Sequence, residues 1–384
     1  MSKKRVIILG ATGSIGRSTL DVLADMADEW DVVGLAAGSK GRELAECANR
    51  VRPGSLALAR ADELSTLDAA LNYSPRVFSG KDALSTLVSE VPCDCVVAAV
   101  VGAGGLAATL RAAELGRRIA LANKEALVIA GAILMPLARK CGATIIPVDS
   151  EHSAIFQALH AGHASEVHRV YLTASGGPFR TWNAQQLDEA TVEDALRHPT
   201  WRMGPKITID SATMMNKALE IVEARWLFDL NPERIAVVVH PESIIHSVVE
   251  FCDGSMIAQL GVPDMRVPIQ YALTYPQRRA RPGSRLNLEE LGQLGLYPPD
   301  AQRFPALRLG HEVAKKGGTC GAVLNAANEA AVKLFQDGVI RFGDIARHTE
   351  RALTQHDFKP SPSLHDLLEA DRRARAEVHR CIPC

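Results

Sequence analysis

The chain has 384 residues, with 43 Lys and Arg against 44 Asp and Glu, and its formal charge of -1 excludes a broad electrostatic hold on nucleic acid. Hydrophobic residues at 47% and charged residues at 23% make a globular composition with material for sizeable cores, and the length allows roughly two to three domains. Aromatics at 5% leave little for stacking on bases.

Residues 5–9 form the first strand-like run, residues 10–16 a Gly-rich turn, and Ile15, Thr19, Leu20 and Leu23 then take up helical spacing. Apolar runs at 32–36, 95–101, 119–122 and 143–148 follow, with helix-like segments between most of them. This alternation predicts an α/β fold that starts with a Rossmann-type, doubly wound parallel sheet over residues 1–150. Beyond it the pattern changes. Residues 167–174, 235–239, 247–251 and 255–260 read as strands, the last two joined by the turn Cys252-Asp253-Gly254. One long helix is expected over 212–228. Residues 151–290 are therefore predicted to form a central α/β catalytic domain with a mixed or antiparallel sheet. Residues 291–311, with Pro298, Pro299 and Pro305, read as a linker, and 312–384 as a C-terminal helical bundle with helices at 322–337, 342–355 and 363–379.

The longest uncharged stretch, 95–110, is shorter than the roughly 18–20 residues a spanning helix needs. The apolar run after Lys3-Lys4-Arg5 is only 6–9, short of the about 7–15 residues of a signal-peptide core. A cytoplasmic protein without a membrane partner is expected. Eight scattered cysteines are no disulfide framework, and Cys381-Ile-Pro-Cys384 reads as a frayed tail.

The turn Gly10-Ala11-Thr12-Gly13-Ser14-Ile15-Gly16 suits a nucleotide pyrophosphate, because glycines let the backbone approach it and the helix start offers N–H groups. Its other reading is close strand–helix packing. An NAD site would want an acid after the second strand. Here Ser39, Lys40 and Arg42 follow instead, which favours the 2′-phosphate of NADPH over a merely solvated turn.

Asp149-Ser150-Glu151-His152 closes the strand-like run 143–148. Read as extended chain, Asp149 and Glu151 share a side and could seat a divalent ion; read as a helix start, they are a cap with favourable dipole charge. Asn216, Lys217 and Glu220 share a helix face. They are either a surface pair or, with Ser211, an anion site that supplies a third carboxylate. Ser175-Gly176-Gly177-Pro178-Phe179 follows a strand and could cup a phosphate with its N–H groups. Residues 198–206, with Pro199, Trp201, Gly204 and Pro205, have the make-up of a mobile lid.

Together these motifs closely resemble the 1-deoxy-D-xylulose 5-phosphate reductoisomerase family. The resemblance lies in GATGSIGRSTLDV (10–22), LANKEALV (121–128), PVDSEHSAIFQ (147–157), ASGGPFR (174–180), HPTWRMGPKITIDSATMMNKALE (198–220), HPESIIHS (240–247), QLGVPDMR (259–266) and VLNAANEAAV (323–332). The resemblance implies a metal, Mg²⁺ or Mn²⁺, on Asp149, Glu151 and Glu220, with these residues and Lys124 catalytic. It implies that Lys124, Ser150, Glu151 and Glu220 meet the substrate, and that Ser175, His198, Ser211, Asn216 and Lys217 hold or neighbour its phosphate. Trp201 and Met203 then lie in the lid over the substrate. Thr12, Gly13, Ser14, Ile15, Gly38, Ser39, Lys40, Asn123, Glu125 and Gly204 become NADPH contacts. The implied reaction turns 1-deoxy-D-xylulose 5-phosphate into 2-C-methyl-D-erythritol 4-phosphate with NADPH, a step in isoprenoid precursor synthesis, in a homodimer. The lid departs from the family at Arg202 and Pro205, and Lys40 stands where relatives often carry Asn. Two rivals are a different NADPH oxidoreductase, without a three-carboxylate metal site, and a non-enzymatic NADPH-binding module.

Overall fold

A computed structural model describes residues 2–201, 203–280 and 283–380. Arg202 and the tail Cys381-Ile-Pro-Cys384, each singled out above, lie outside the described residues.

The first half forms one seven-stranded sheet: β1 (Lys4–Leu9), β2 (Trp30–Ala37), β3 (Ser55–Leu58), β4 (Arg76–Ser79), β5 (Cys95–Ala98), β6 (Arg118–Leu121) and β7 (Thr144–Pro147). Every pairing is parallel, in the order β4-β3-β2-β1-β5-β6-β7. The order reverses at β1, so the crevice beyond the carboxyl ends of β1 and β5 is the topological switch point where doubly wound sheets bind ligands. The central strands are apolar over their buried stretches, where both faces are covered; Ile7, Ile8, Val96 and Val97 are fully buried. Connecting helices are α1 (Ser14–Ala24), α2 (Gly41–Val51), α3 (Leu64–Ala70), α4 (Ala83–Glu90), α5 (Leu106–Glu114) and α6 (Lys124–Cys141). Strands β3 and β4 lie outside the apolar runs expected from the sequence. Their four residues each, SLAL and RVFS, offer too short a period to separate from loop.

Later come α7 (Ser150–Ala158), β8 (Val167–Ala174), α8 (Ala184–Asp188), α9 (Val192–Ala195), α10 (Pro205–Ala212), α11 (Met215–Leu227), β9 (Ile235–Val239), β10 (Ile245–Phe251), β11 (Met256–Leu260) and α12 (Arg266–Thr274). The chain ends in α13 (Ala306–Lys316), α14 (Cys320–Gln336), α15 (Phe342–Gln355) and α16 (Leu364–Arg380). The second sheet is mixed, in the order β11-β10-β8-β9, with β8 and β9 parallel and β10 antiparallel to both its neighbours. The β10–β11 hairpin turns at Gly254, whose φ of +84° is the left-handed region that glycine enters freely.

Two compact units result. The first takes the described residues up to Ala126, then Leu134–Ser153 and Asp264–Gly283; the second takes Leu127–Ile133, Ala154–Pro263 and the chain from Ser284 on. Asp264–Gly283, expected within the central domain, therefore packs in the first unit. There α12 lies against α1, β6 and β7, and Arg118 donates to the Leu273 carbonyl at 3.1 Å. Helix α13 starts inside the expected linker. Among the described residues, no helix is long and apolar enough to cross a membrane.

Two local expectations are corrected. The predicted helix 212–228 is broken at Met214, whose φ is +60°, so α10 ends before α11 starts. Residues 207–209, whose β-branched Ile207, Thr208 and Ile209 favour a strand, lie inside α10, which Pro205 opens from the first turn where its missing N–H costs nothing.

Candidate active site

In the first unit, the three glycines after β1 divide the work of one turn. Gly10 has φ +87°, and a Cβ there would lie 2.4 Å from the Ala99 carbonyl oxygen at the end of β5. Gly16 is pressed against the turn, where a Cβ would lie 2.3 Å from the Gly10 oxygen. Gly13 caps α1, and a Cβ on it would meet nothing closer than 3.4 Å. Tight turn, close packing and an open face are the division a pyrophosphate-binding turn requires. Thr12, Ser14 and Ile15 flank that open face, all at least partly accessible.

At the end of β2, Gly38 has no atom within 4 Å of a would-be Cβ, and Ser39 and Lys40 are exposed. Lys40 precedes α2 with 59% of its side chain accessible and makes a loose 3.8 Å ion pair with Glu43. No carboxylate ends β2. Asn123 and Glu125 are buried. The Asn123 carboxamide accepts from the Ala126 N–H at 3.2 Å and donates to the Gly102 carbonyl at 3.1 Å. It caps α6 and fixes the loop after β5.

Lys124 opens α6 beside that cap, and its ammonium donates to Asp149 at 2.7 Å. Asp149 is the residue before α7: its carboxylate accepts from the Glu151 N–H at 3.2 Å and its carbonyl from the Ser153 N–H at 2.8 Å. The segment is thus a helix start, not extended chain, and Glu151 sits in the first turn of α7 with the Ser150 hydroxyl donating to it at 2.9 Å. Burial pushes the Asp149 carboxyl up, but the Lys124 ammonium and His152 outweigh it and hold it well below the usual carboxylate range. His152 is fully buried with Nδ1 3.0 Å from Asp149. It lies outside the expected site residues, although its spacing three residues after Asp149 at a helix start brings it to that carboxylate.

In the second unit, Ser175 begins a turn with two consecutive left-handed glycines, Gly176 at φ +81° and Gly177 at φ +65°. A Cβ on Gly177 would lie 2.6 Å from the Ser211 carbonyl oxygen, so the turn rests directly on the end of α10. The Gly177 N–H donates to Ser175 Oγ at 3.2 Å. His198 Nδ1 accepts from the N–H groups of Thr200 and Trp201, at 3.1 and 2.8 Å. That pattern places its proton on Nε2, 3.0 Å from Ser175 Oγ. Burial pushes His198 down to about 4, so it is neutral at physiological pH. Ser175 Oγ therefore accepts two hydrogen bonds, and its own O–H is the group left to offer to a ligand oxygen.

Ser211 belongs to the last turn of α10, not to a helix start as expected. The helix start belongs to α11, with Asn216 and Lys217 in its first turn after the left-handed Met214. Asn216 donates to Glu220 at 2.5 Å and Lys217 is ion-paired with it. Lys217 and Glu220 are almost wholly buried, which rejects the surface-pair reading. Trp201 and Met203 are half-buried, Trp201 with its ring 6.4 Å from that of His246, and Gly204 is exposed as the cap of α10.

Comparison with known proteins gives this arrangement a family. Family models match in chain order: 1-deoxy-D-xylulose 5-phosphate reductoisomerase at residues 6–131, its C-terminal domain at 145–228, and the DXP reductoisomerase C-terminal domain at 260–377. The reductoisomerase of Exiguobacterium sibiricum is 50% identical over 98% of both chains, and that of Pelotomaculum thermopropionicum 48% identical over 97% of both. The chain belongs to the 1-deoxy-D-xylulose 5-phosphate reductoisomerase family. Among solved reductoisomerases, that from Zymomonas mobilis in complex with NADPH is 42% identical, covers 99% of both chains and superposes with a TM-score of 0.93. Another, in complex with NADPH, fosmidomycin and magnesium, is 40% identical with a TM-score of 0.91 and covers 99% of this chain and 98% of its own.

Proposed function

We propose that the protein converts 1-deoxy-D-xylulose 5-phosphate to 2-C-methyl-D-erythritol 4-phosphate with NADPH and a divalent metal. The reading rests chiefly on the full-length kinship with reductoisomerases, joined to a turn built for a pyrophosphate and three carboxylates of oxygen-donor type. Asp149, Glu151 and Glu220 would hold Mg²⁺ or Mn²⁺. The donor set fits: Asp149 is firmly ionised, and Glu220 is held in one orientation by Asn216 and Lys217. When bound, the metal supplies Lewis-acid polarisation of the ketone and its neighbouring hydroxyl, and NADPH supplies the hydride.

The chain's own residues do the rest. Lys124 offers a cation to developing negative oxygen and a proton donor at Nζ. Ser150 orients the substrate beside Glu151. Ser175 donates its O–H to the phosphate, and Ser211, Asn216 and Lys217 complete the grip. His198 ties the backbone of Thr200 and Trp201 to that serine, so holding the phosphate and placing the 198–206 segment are one event. Binding energy from the remote phosphate then serves to orient the reacting carbons and, with Trp201 and Met203 as cover, to exclude water from the aldehyde intermediate. Thr12, Gly13, Ser14, Ile15, Gly38, Ser39, Lys40, Asn123, Glu125 and Gly204 contact NADPH.

The decisive experiment follows NADPH absorbance at 340 nm with the sugar phosphate and Mg²⁺. Consumption should stop with EDTA and return with excess Mn²⁺. Turnover that EDTA leaves untouched would remove the metal from the reading, and no turnover at all would remove the activity.

Nucleotide choice should follow from Lys40 and Arg42. NADPH should exceed NADH in kcat/KM, and replacing both with Ala should narrow the ratio by about 10-fold, two exposed charge contacts of roughly 0.7 kcal/mol each. Equal efficiencies in the unmodified protein would contradict the assignment.

The protein is further proposed to be a cytoplasmic homodimer, as the family suggests. Strand β11 is an edge of the second sheet and leaves Met256 57%, Ile257 38% and Leu260 37% exposed. Ile257→Lys should shift the protein to monomer in light scattering; an unchanged dimer would place the interface elsewhere.

A further inference from the structure

Asp210 is a charged group in an apolar setting. It is 1% exposed on α10, between Ile209 and Ala212, which both belong to the core cluster shared with Val323, Ala326, Ala327 and Ala330 of α14. Its carboxylate is held from two directions. One turn back on α10, the Lys206 ammonium lies 2.8 Å from Oδ2. From α14, the fully buried Asn328 donates its amide to Oδ1 at 2.8 Å. A buried ion pair rarely adds stability over apolar groups of the same shape, because removing two charges from water offsets their attraction. What such a pair does supply is direction: it fixes the rotation and register of the helix that carries it.

That helix carries two things that matter to the reaction. Lys206 is the last residue of the 198–206 segment, and Ser211, next to Asp210, is the residue against which the Ser175–Gly177 turn rests. With eight residues, α10 is far too short to hold its own geometry.

We propose that Asp210 is a positioning residue for phosphate recognition, anchoring α10 to α14 through Asn328 and the end of the 198–206 segment through Lys206. The proposal rests on the phosphate reading of Ser175 and Ser211 given above. Asp210 touches no substrate atom; it sets where Ser211 and the Gly177 turn stand, and where the segment bearing His198 and Trp201 returns to helix. The C-terminal helices thereby take part in substrate recognition from behind the site.

The test compares two hydroxamates, one bearing a phosphonate and one lacking it, by titration against the intact protein with Mg²⁺ and NADPH. Asp210→Asn keeps a hydrogen-bond acceptor for Asn328 but removes the charge that holds Lys206; Lys206→Met removes the same link from the other side. Each should weaken the phosphonate-bearing compound about 10-fold or more, the scale on which small misplacements act. Each should leave the phosphonate-free compound and NADPH within about 2-fold, and the double variant should be no worse than the worse single one. A purely structural role would lower Tm and weaken both hydroxamates alike, and that result, or no change in either, overturns the proposal. If Asp210→Asn does not fold, Lys206→Met, at a position 20% exposed, decides alone. Ser211→Ala run in parallel separates the two readings. If it spares the phosphonate compound, the phosphate site itself is wrong; if it alone discriminates, only the role of Asp210 is wrong.

Discussion

Glu220→Gln should fold and bind NADPH, yet lose turnover roughly 1000-fold or more. On the proposed metal assignment, several kcal/mol of Lewis-acid stabilisation depart with Glu220, and each 1.4 kcal/mol is about tenfold in rate. The substitution is close to isosteric, and Asn216 can still donate to the new amide oxygen. Lys217 loses its carboxylate partner in a buried setting, so a lower Tm accompanies the change. Titration with Mn²⁺ should show weakened binding, and raising Mn²⁺ should recover part of the activity. Near-normal turnover at limiting Mn²⁺ would sink the ligand assignment.

Lys124→Met should cost a comparable factor, roughly 100- to 10,000-fold in kcat, by a different route. Methionine keeps the length and apolar stem of a side chain that is only 11% exposed, so packing survives. What disappears is the ammonium 2.7 Å from Asp149 and its proton. Excess metal cannot restore either, so Mn²⁺ should leave this variant inactive while it partly recovers Glu220→Gln. Full recovery by Mn²⁺ would reduce Lys124 to a support for Asp149.

The contrast between the two units explains what the residues disclose unaided. The parallel sheet is legible because β1, β2, β5, β6 and β7 are apolar runs separated by helical spacing, and the Gly10–Gly16 turn sits where those two periods meet. The short β3 and β4 lack that contrast and stay hidden. The break at Met214 is invisible for another reason: a left-handed methionine is set by its surroundings, here a core that buries Met214 and Met215 on either side of the turn. So propensity favours one helix and tertiary packing makes two. Asp149 illustrates the same limit at the site. Its residues permit both an extended pair and a helix cap, and the hydrogen bonds from the Glu151 and Ser153 N–H groups select the cap. Asp210 and Asn328 lie 118 positions apart in the chain, and no local pattern joins them.

Helix α12 has a consequence for synthesis on the ribosome. The nucleotide-binding sheet looks complete once β7 has emerged, but the helix that covers α1, β6 and β7 is Arg266–Thr274. Until that stretch leaves the exit tunnel, the flank of the sheet formed by its last two strands lacks its cover. A nascent chain truncated near residue 150 should therefore expose apolar surface and attract chaperones or aggregate, even though it contains every strand of its sheet. Supplying 264–283 in trans, or moving it forward by circular permutation, would be the way to make the nucleotide-binding half stand by itself.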